Sequence, residues 1–203
     1  MTIEVFFDCS SPWSYLGFEG IQPLAAEFGV DLVWRPVLVG GIFNAVNSSV
    51  YHIRERVPAK SAYNLKDLAD WSLNTGLAIH FPPPVFPVNS ARAMRLAILL
   101  NAEGLLVPFA RATYCRYFGQ GEDISDPAVL HDALEEIGAS AERLLQASDS
   151  PEVRAQLRAN TEEAITRGAF GVPTFYIDRH DMYFGVDRLP NIRRALERRA
   201  APG

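Results

Sequence analysis

The chain opens with an apolar run, Ile3-Glu4-Val5-Phe6-Phe7, that stops abruptly at the small polar residues Asp8-Cys9-Ser10-Ser11. A helical pattern follows, with Trp13, Leu16, Ile21, Leu24, Ala25 and Phe28 recurring at roughly helical spacing until Gly29. Ser11 before Pro12 fits the start of that helix. The hydroxyl can accept an orphan N–H, and proline at the first helical position loses nothing by lacking its own. Val30 to Val39 is apolar, contains Trp34 and reads as a second strand, so the first forty residues form a βαβ unit with a right-handed crossover. Gly40-Gly41 breaks the pattern, and residues 44–61 read as a long irregular loop carrying Asn47, Ser48, Ser49, Arg54, Arg56, Pro58 and Lys60.

Beyond Ala62 the periodicity is helical for about a hundred residues. Helices are predicted over 62–74, from Ser90 through Leu100, and over 105–118, 126–137, 140–147 and 150–167. Asp126-Pro127 and Ser150-Pro151 serve as cap and first-turn pairs. Ile79-His80-Phe81-Pro82-Pro83-Pro84 interrupts them as an extended stretch, because each proline disfavours helix in the residue before it. Strand character returns at Val172 to Asp178. After a short Arg179-His180-Asp181 turn, Met182 to Gly185 completes an antiparallel hairpin, and a closing helix follows from Leu189 to Arg199.

The order βαβ, helical block, ββα is that of an α/β thioredoxin-like fold with a large all-helical insertion. The expected division is residues 1–61 and 168–203 for the thioredoxin-like domain and 62–167 for the helical insertion. With 203 residues, 48% hydrophobic and 21% charged, the chain has the means to bury a proper core. A net charge of −5 argues against nucleic acid or an anionic membrane as partner. No apolar run reaches membrane-spanning length, and no basic region or cleavage site precedes the first strand, so a cytoplasmic location is expected. Cys9 and Cys115 lie far apart, form neither a metal cluster nor a C-x-x-C pair, and read as two buried thiols. His80 reads as a structural histidine, and no metal site is expected.

Gly171-Val172-Pro173-Thr174 resembles the cis-proline loop of thioredoxin-like proteins, in which the residue before the proline offers its backbone to a thiol-bearing peptide. Where thiol–disulfide oxidoreductases of this shape carry C-x-x-C, this chain has Ser11-Pro12-Trp13-Ser14. Without a thiolate, disulfide exchange cannot run. Ser-Pro-[aromatic]-Ser-[aromatic] instead resembles the 2-hydroxychromene-2-carboxylate isomerases and the kappa-class glutathione transferases. That resemblance spans nearly the whole chain. It runs through Phe7-Asp8, Ser11 to Glu19, Arg35-Pro36, Tyr63 with Lys66-Asp67, Asn89-Ser90, Glu122-Asp123-Ile124, Gly168 to Pro173, and Phe184-Gly185 with Asp187-Arg188.

The resemblance implies bound glutathione with its sulfur against the Ser11 hydroxyl. Val172, before Pro173, would meet the cysteinyl part by its backbone. The Val186 backbone, Asp187 and Arg188 would hold the γ-glutamyl end, and Asn47 and Lys60 the opposite end. An aromatic substrate would lie between the two domains on Trp13 or Phe43, with Arg54 or Asn89 available to a carboxylate. The implied activity is isomerisation in polycyclic-aromatic catabolism. The thiolate adds to the conjugated carbon, the ring opens, a former double bond rotates, and the thiol leaves unchanged. A kappa-like transferase or peroxidase is the alternative, and a non-catalytic module that only holds thiol peptides is a second. A homodimer is implied as well. Plainer readings stand beside these: Ser11 as a helix cap, Asp187 as a cap of the last helix, Lys60 and Arg54 as solvated charges.

The chemistry is affordable at Ser11. An ordinary thiol of pKa about 8.5 needs roughly 2.7 kcal/mol to drop by about two units. A helix N-terminus offers about 0.3–2 kcal/mol and one charge-assisted hydrogen bond about 1.5–3.

Overall fold

The computed structural model describes residues 1–51 and 57–200; Arg54 lies outside the described residues. Strand β1 (Thr2–Phe7) is central in a four-stranded sheet of order β2-β1-β3-β4, with β2 (Asp31–Pro36), β3 (Thr174–Ile177) and β4 (Asp181–Phe184). β2 runs parallel to β1, Val5 opposite Trp34, and β3 runs antiparallel to it, Val5 opposite Phe175. β1 lacks polar alternation because both its faces are covered. Ile3 and Val5 pack under α1 (Pro12–Phe28) and the last helix, α9 (Leu189–Ala200). Phe6 packs on the other face with Val37, Ile42 of α2 (Val39–Val46) and Ala164 of α8 (Pro151–Thr166).

Between the two halves of the sheet, the described regular structure is helical: α3 (Pro58–Thr75), α4 (Ala91–Ala102), α5 (Leu106–Tyr114), α6 (Pro127–Glu136), α7 (Ala141–Ala147) and α8. Their shared core of Leu96, Phe109, Tyr114, Phe118 and Leu130 runs on into Phe7 and Phe18. α8 returns the chain to the sheet. Its Asn160 donates to the Pro36 carbonyl at 3.0 Å, and its Thr161 hydroxyl accepts the Leu38 N–H at 3.1 Å. The thioredoxin-like α/β class with inserted helices is therefore present.

Several local expectations are corrected. Gly40-Gly41 do not break the chain but lie inside α2. Ile42 is fully buried there, and the bare Gly41 lets the Thr161 methyl come within 3.2 Å of where a Cβ would sit. Burial of that kind outweighs a helix penalty of about 1 kcal/mol per glycine. The supposed loop over 44–61 is correspondingly shorter, since α2 reaches Val46 and α3 begins at Pro58. The helix expected over 105–118 is two pieces, with Cys115–Gln120 wound as a wider π-helix that buries the adjacent Tyr117 and Phe118 completely. Cys9 is buried as expected, whereas Cys115 is exposed. Phe81–Pro82 and Phe86–Pro87 join Val172–Pro173 as cis peptide bonds. No described helix is long and apolar enough to cross a membrane.

Candidate functional site

The site is built where β1 ends and α1 begins. Ser11 sits in extended backbone as the N-cap of α1, and its hydroxyl accepts the Ser14 N–H at 3.2 Å. Among the described residues the hydroxyl's own hydrogen is uncommitted, and so is the Trp13 amide in the first turn. Ser11 is 9% exposed. A hydroxyl and an open N–H at the positive end of a 17-residue helix form a donor pair suited to an anion.

Ser14 occupies the other position of the C-x-x-C register but is completely buried. Its Oγ accepts the Asp8 N–H at 3.4 Å, and the Tyr114 hydroxyl donates to the Asp8 carbonyl at 3.4 Å. Only Ser11 faces outward chemistry; Ser14 holds the turn. Cys9 is equally sequestered: its N–H points to the Met94 sulfur at 3.3 Å, and burial beside Asp8 pushes its thiol well above the ordinary value.

Asp8, 1% exposed, anchors the turn from beneath. Oδ1 accepts the Ser10 N–H and hydroxyl, both at 2.9 Å, and Oδ2 accepts the Val39 N–H at the start of α2 at 2.8 Å. The Ser90 hydroxyl, just before α4, also favours its charged form. Burial pushes this carboxyl above its usual range despite those donors. Sequence reasoning expected Ser90 to cap α4; its side chain makes no cap bond there.

The Val172–Pro173 bond is cis, and Pro173 packs on the second turn of α1 at Gly17. Neither the N–H nor the C=O of Val172 is hydrogen-bonded among the described residues, which leaves an open backbone edge beside α1. The Pro173 carbonyl accepts the Gly185 N–H at 3.0 Å, tying the loop to the next candidate segment, Val186–Arg188. Gly185 has φ +97°, and Oδ1 of Asp187 lies 2.6 Å from where a Cβ would stand. Val186 is buried, while Asp187 and Arg188 are exposed and paired at 3.2 Å.

Pro173 thus touches both α1, the helix that Ser11 caps, and the turn that carries Val186 and Asp187. Phe43 belongs with them, close to Gly171 and edge-on to Tyr51 at 6.1 Å. Asn47 is turned to structure, its amide donating to the Phe170 carbonyl at 3.0 Å and its Oδ1 accepting from Ser49. Lys60 is exposed in the first turn of α3, and Trp13 is half-buried against the helical core. Asn89 caps the Ala91 N–H at 3.1 Å. His80 meets the Gly119 carbonyl at 3.0 Å. Sequence reasoning missed Phe170 and Phe184, whose rings meet tilted at 4.4 Å, with Phe184 against Gly171 and both at least a third exposed. The signal available was two large aromatics in polar-facing positions.

Fold and site together define a thioredoxin fold in which serines replace the redox thiols while the cis-proline loop is kept. The sequence profile of the DSBA-like thioredoxin domain matches residues 2–197. The human glutathione S-transferase kappa 1 is 33% identical over 96% of this chain and 90% of its own. The 2-hydroxychromene-2-carboxylate isomerase of Sphingobium xenophagum is 30% identical over 93% and 94%. A solved 2-hydroxychromene-2-carboxylate isomerase superposes with a TM-score of 0.82 at 24% identity, over 98% of this chain and 95% of that one, which bears on the fold. The chain belongs to the DSBA-like thioredoxin family, among relatives that include kappa-class glutathione transferases and 2-hydroxychromene-2-carboxylate isomerases.

Proposed function

We propose that this protein is an enzyme that binds glutathione and uses it to isomerise an aromatic substrate of the 2-hydroxychromene-2-carboxylate kind. The observation that carries the reading is the uncommitted Ser11 hydroxyl at the N-terminus of α1, adjoining a cis-proline loop with an open backbone edge. These groups fit a thiol peptide. The Val172 backbone can pair with it as an added strand, Asp187 can take an α-ammonium group, and Ser11 with the Trp13 amide can hold a negative sulfur. Bound there, glutathione supplies a thiol nucleophile. Ser11 lowers the cost of its ionisation by donating a hydrogen bond, and needs no proton-abstracting partner of its own. The half-exposed rings of Phe43, Phe170 and Phe184 beside Gly171 suit a planar aromatic substrate.

A kappa-like transferase is the second reading, favoured by the 33% identity to the human kappa enzyme. The two differ in the fate of the thiol. The test is the ultraviolet thiolate absorbance of glutathione titrated with the protein near neutral pH, beside Ser11→Ala. Saturable absorbance lost in the variant supports both readings, and free thiol is then counted during turnover. A constant count with 2-hydroxychromene-2-carboxylate supports isomerisation; stoichiometric loss with an electrophile supports transfer. Absence of thiolate in the wild type would overturn both.

A further inference from the structure

A polar cavity of about 340 Å³ opens where the N-termini of α4 and α8 meet the turn before α6. Arg92 and Arg95 of α4, Arg154 of α8, Asn89, Ser125 and Asp149 line it. The three guanidinium groups converge on one carboxylate. Arg92 reaches Asp149 Oδ2, and Arg95 and Arg154 both reach Oδ1, each at 2.9 Å. One negative charge thus answers three positive ones, leaving two in excess. Arg95 feels this most, being 8% exposed with an Nε that has no hydrogen-bond partner among the described residues. Burial and the charges of Arg154 and Arg92 act together to loosen its proton, against Asp149 alone.

We infer that this cavity binds a multiply charged oxyanion, of the phosphate or dicarboxylate class. Guanidinium forks match the paired oxygens of such groups, and the N-termini of a 12-residue and a 16-residue helix add to the positive field. The volume sits at the small end of ligand pockets, roughly 300–1,000 Å³, and admits such a group carried on a small organic body. Asp149 then acts as an internal competitor: it occupies guanidinium donors that an incoming oxyanion would take. A cluster that only tied α4 to α8 would have no use for two uncompensated charges.

The test is calorimetric titration of the whole protein, without glutathione, with inorganic phosphate in one arm, succinate in another, and chloride at matched ionic strength as control. Saturable one-to-one binding of phosphate or of succinate, absent with chloride, is expected, and the arm that binds identifies the class. Arg92→Gln is expected to weaken it on the order of tenfold, the worth of one charge-assisted hydrogen bond, and Asp149→Asn to tighten it by a similar factor. Should Asp149→Asn fail to fold, the partly exposed Arg92 carries the comparison by itself. No saturable binding of either oxyanion by the wild type, or binding unchanged in Arg92→Gln, would overturn the inference.

Discussion

Pro173 rests on Gly17: a Cβ at residue 17 would lie 2.6 Å from the Pro173 Cγ and 3.2 Å from the Phe175 ring. This contact sets the distance between the cis-proline loop and the helix whose N-terminus carries Ser11. Gly17→Ala gains about 1 kcal/mol of helix propensity but forces an overlap that costs typically about 1–3. The expected outcome is a net loss of about 1 kcal/mol in urea unfolding together with weaker glutathione binding. A more stable variant with unchanged affinity would mean that the loop is not held here.

Ser11→Ala removes both the cap of α1 and the hydroxyl donor. Loss of the cap costs about 1 kcal/mol. Under the proposed function the thiolate absorbance disappears as well, whereas Ser11→Thr keeps the cap and part of the absorbance. Comparing the two variants by thermal melting and by titration separates the structural role of the hydroxyl from its chemical one.

Gly185→Ala acts at the opposite end of the proposed peptide site. Its φ of +97° strains any side chain, and the new Cβ would displace the Asp187 carboxylate lying 2.6 Å away. Glutathione affinity is expected to fall by more than about tenfold, as one charge-assisted contact is lost. Asp187→Asn should reproduce that loss without the backbone strain. An Asp187→Asn variant that binds as tightly as the wild type would remove Asp187 from the site.

The two buried carboxylates respond to pH with opposite sign. Glu4 is bridged by Arg35 at 2.8 Å and by Arg167 at 2.5 Å, and Arg167 also lies 4.0 Å from the Tyr176 ring centroid. Burial raises the Glu4 carboxyl, but the two arginines prevail and hold it below its ordinary 4.5. Its contribution is therefore complete above that value and lost as the pH falls through the folded one. Glu4→Gln should cost about 3 kcal/mol at neutral pH, a deficit that closes in acid. Asp8 is raised instead, so its contribution is present below its ordinary 3.8 and lost as the pH rises through the folded value. Asp8→Asn should cost about 1–3 kcal/mol, because one amide oxygen cannot serve donors on both sides, and this deficit should narrow as the pH rises. Urea unfolding from about pH 7 to about pH 3 checks both.

Much of this was legible in the chain because it is local. Ser11-Pro12, Asp126-Pro127 and Ser150-Pro151 each announce a helix start from neighbouring atoms, and all three cap with a side-chain oxygen in the structure. What escaped depends on distant partners. Gly41 lies in a helix that packs closely on Thr161, well over a hundred residues away. Asp8 is an anchor because the Val39 N–H reaches it from another element, some thirty residues on. The arginine cavity joins α4 to α8 across more than fifty residues, so no short motif betrays it. The wider turn at Cys115–Gln120 likewise answers to a core that must receive two neighbouring aromatics.

The burial of Ser14 sets what a cysteine pair at this turn would demand. Its hydroxyl accepts the Asp8 N–H with no exposure, next to the Asp8 carbonyl that the Tyr114 hydroxyl bonds. A cysteine there would place a bulkier, weaker hydrogen-bonding sulfur in that spot and deprive the Asp8 N–H of a good acceptor. Exchanging both serines for cysteines is therefore more than a swap of two exposed groups: the second one remodels the buried support of the turn.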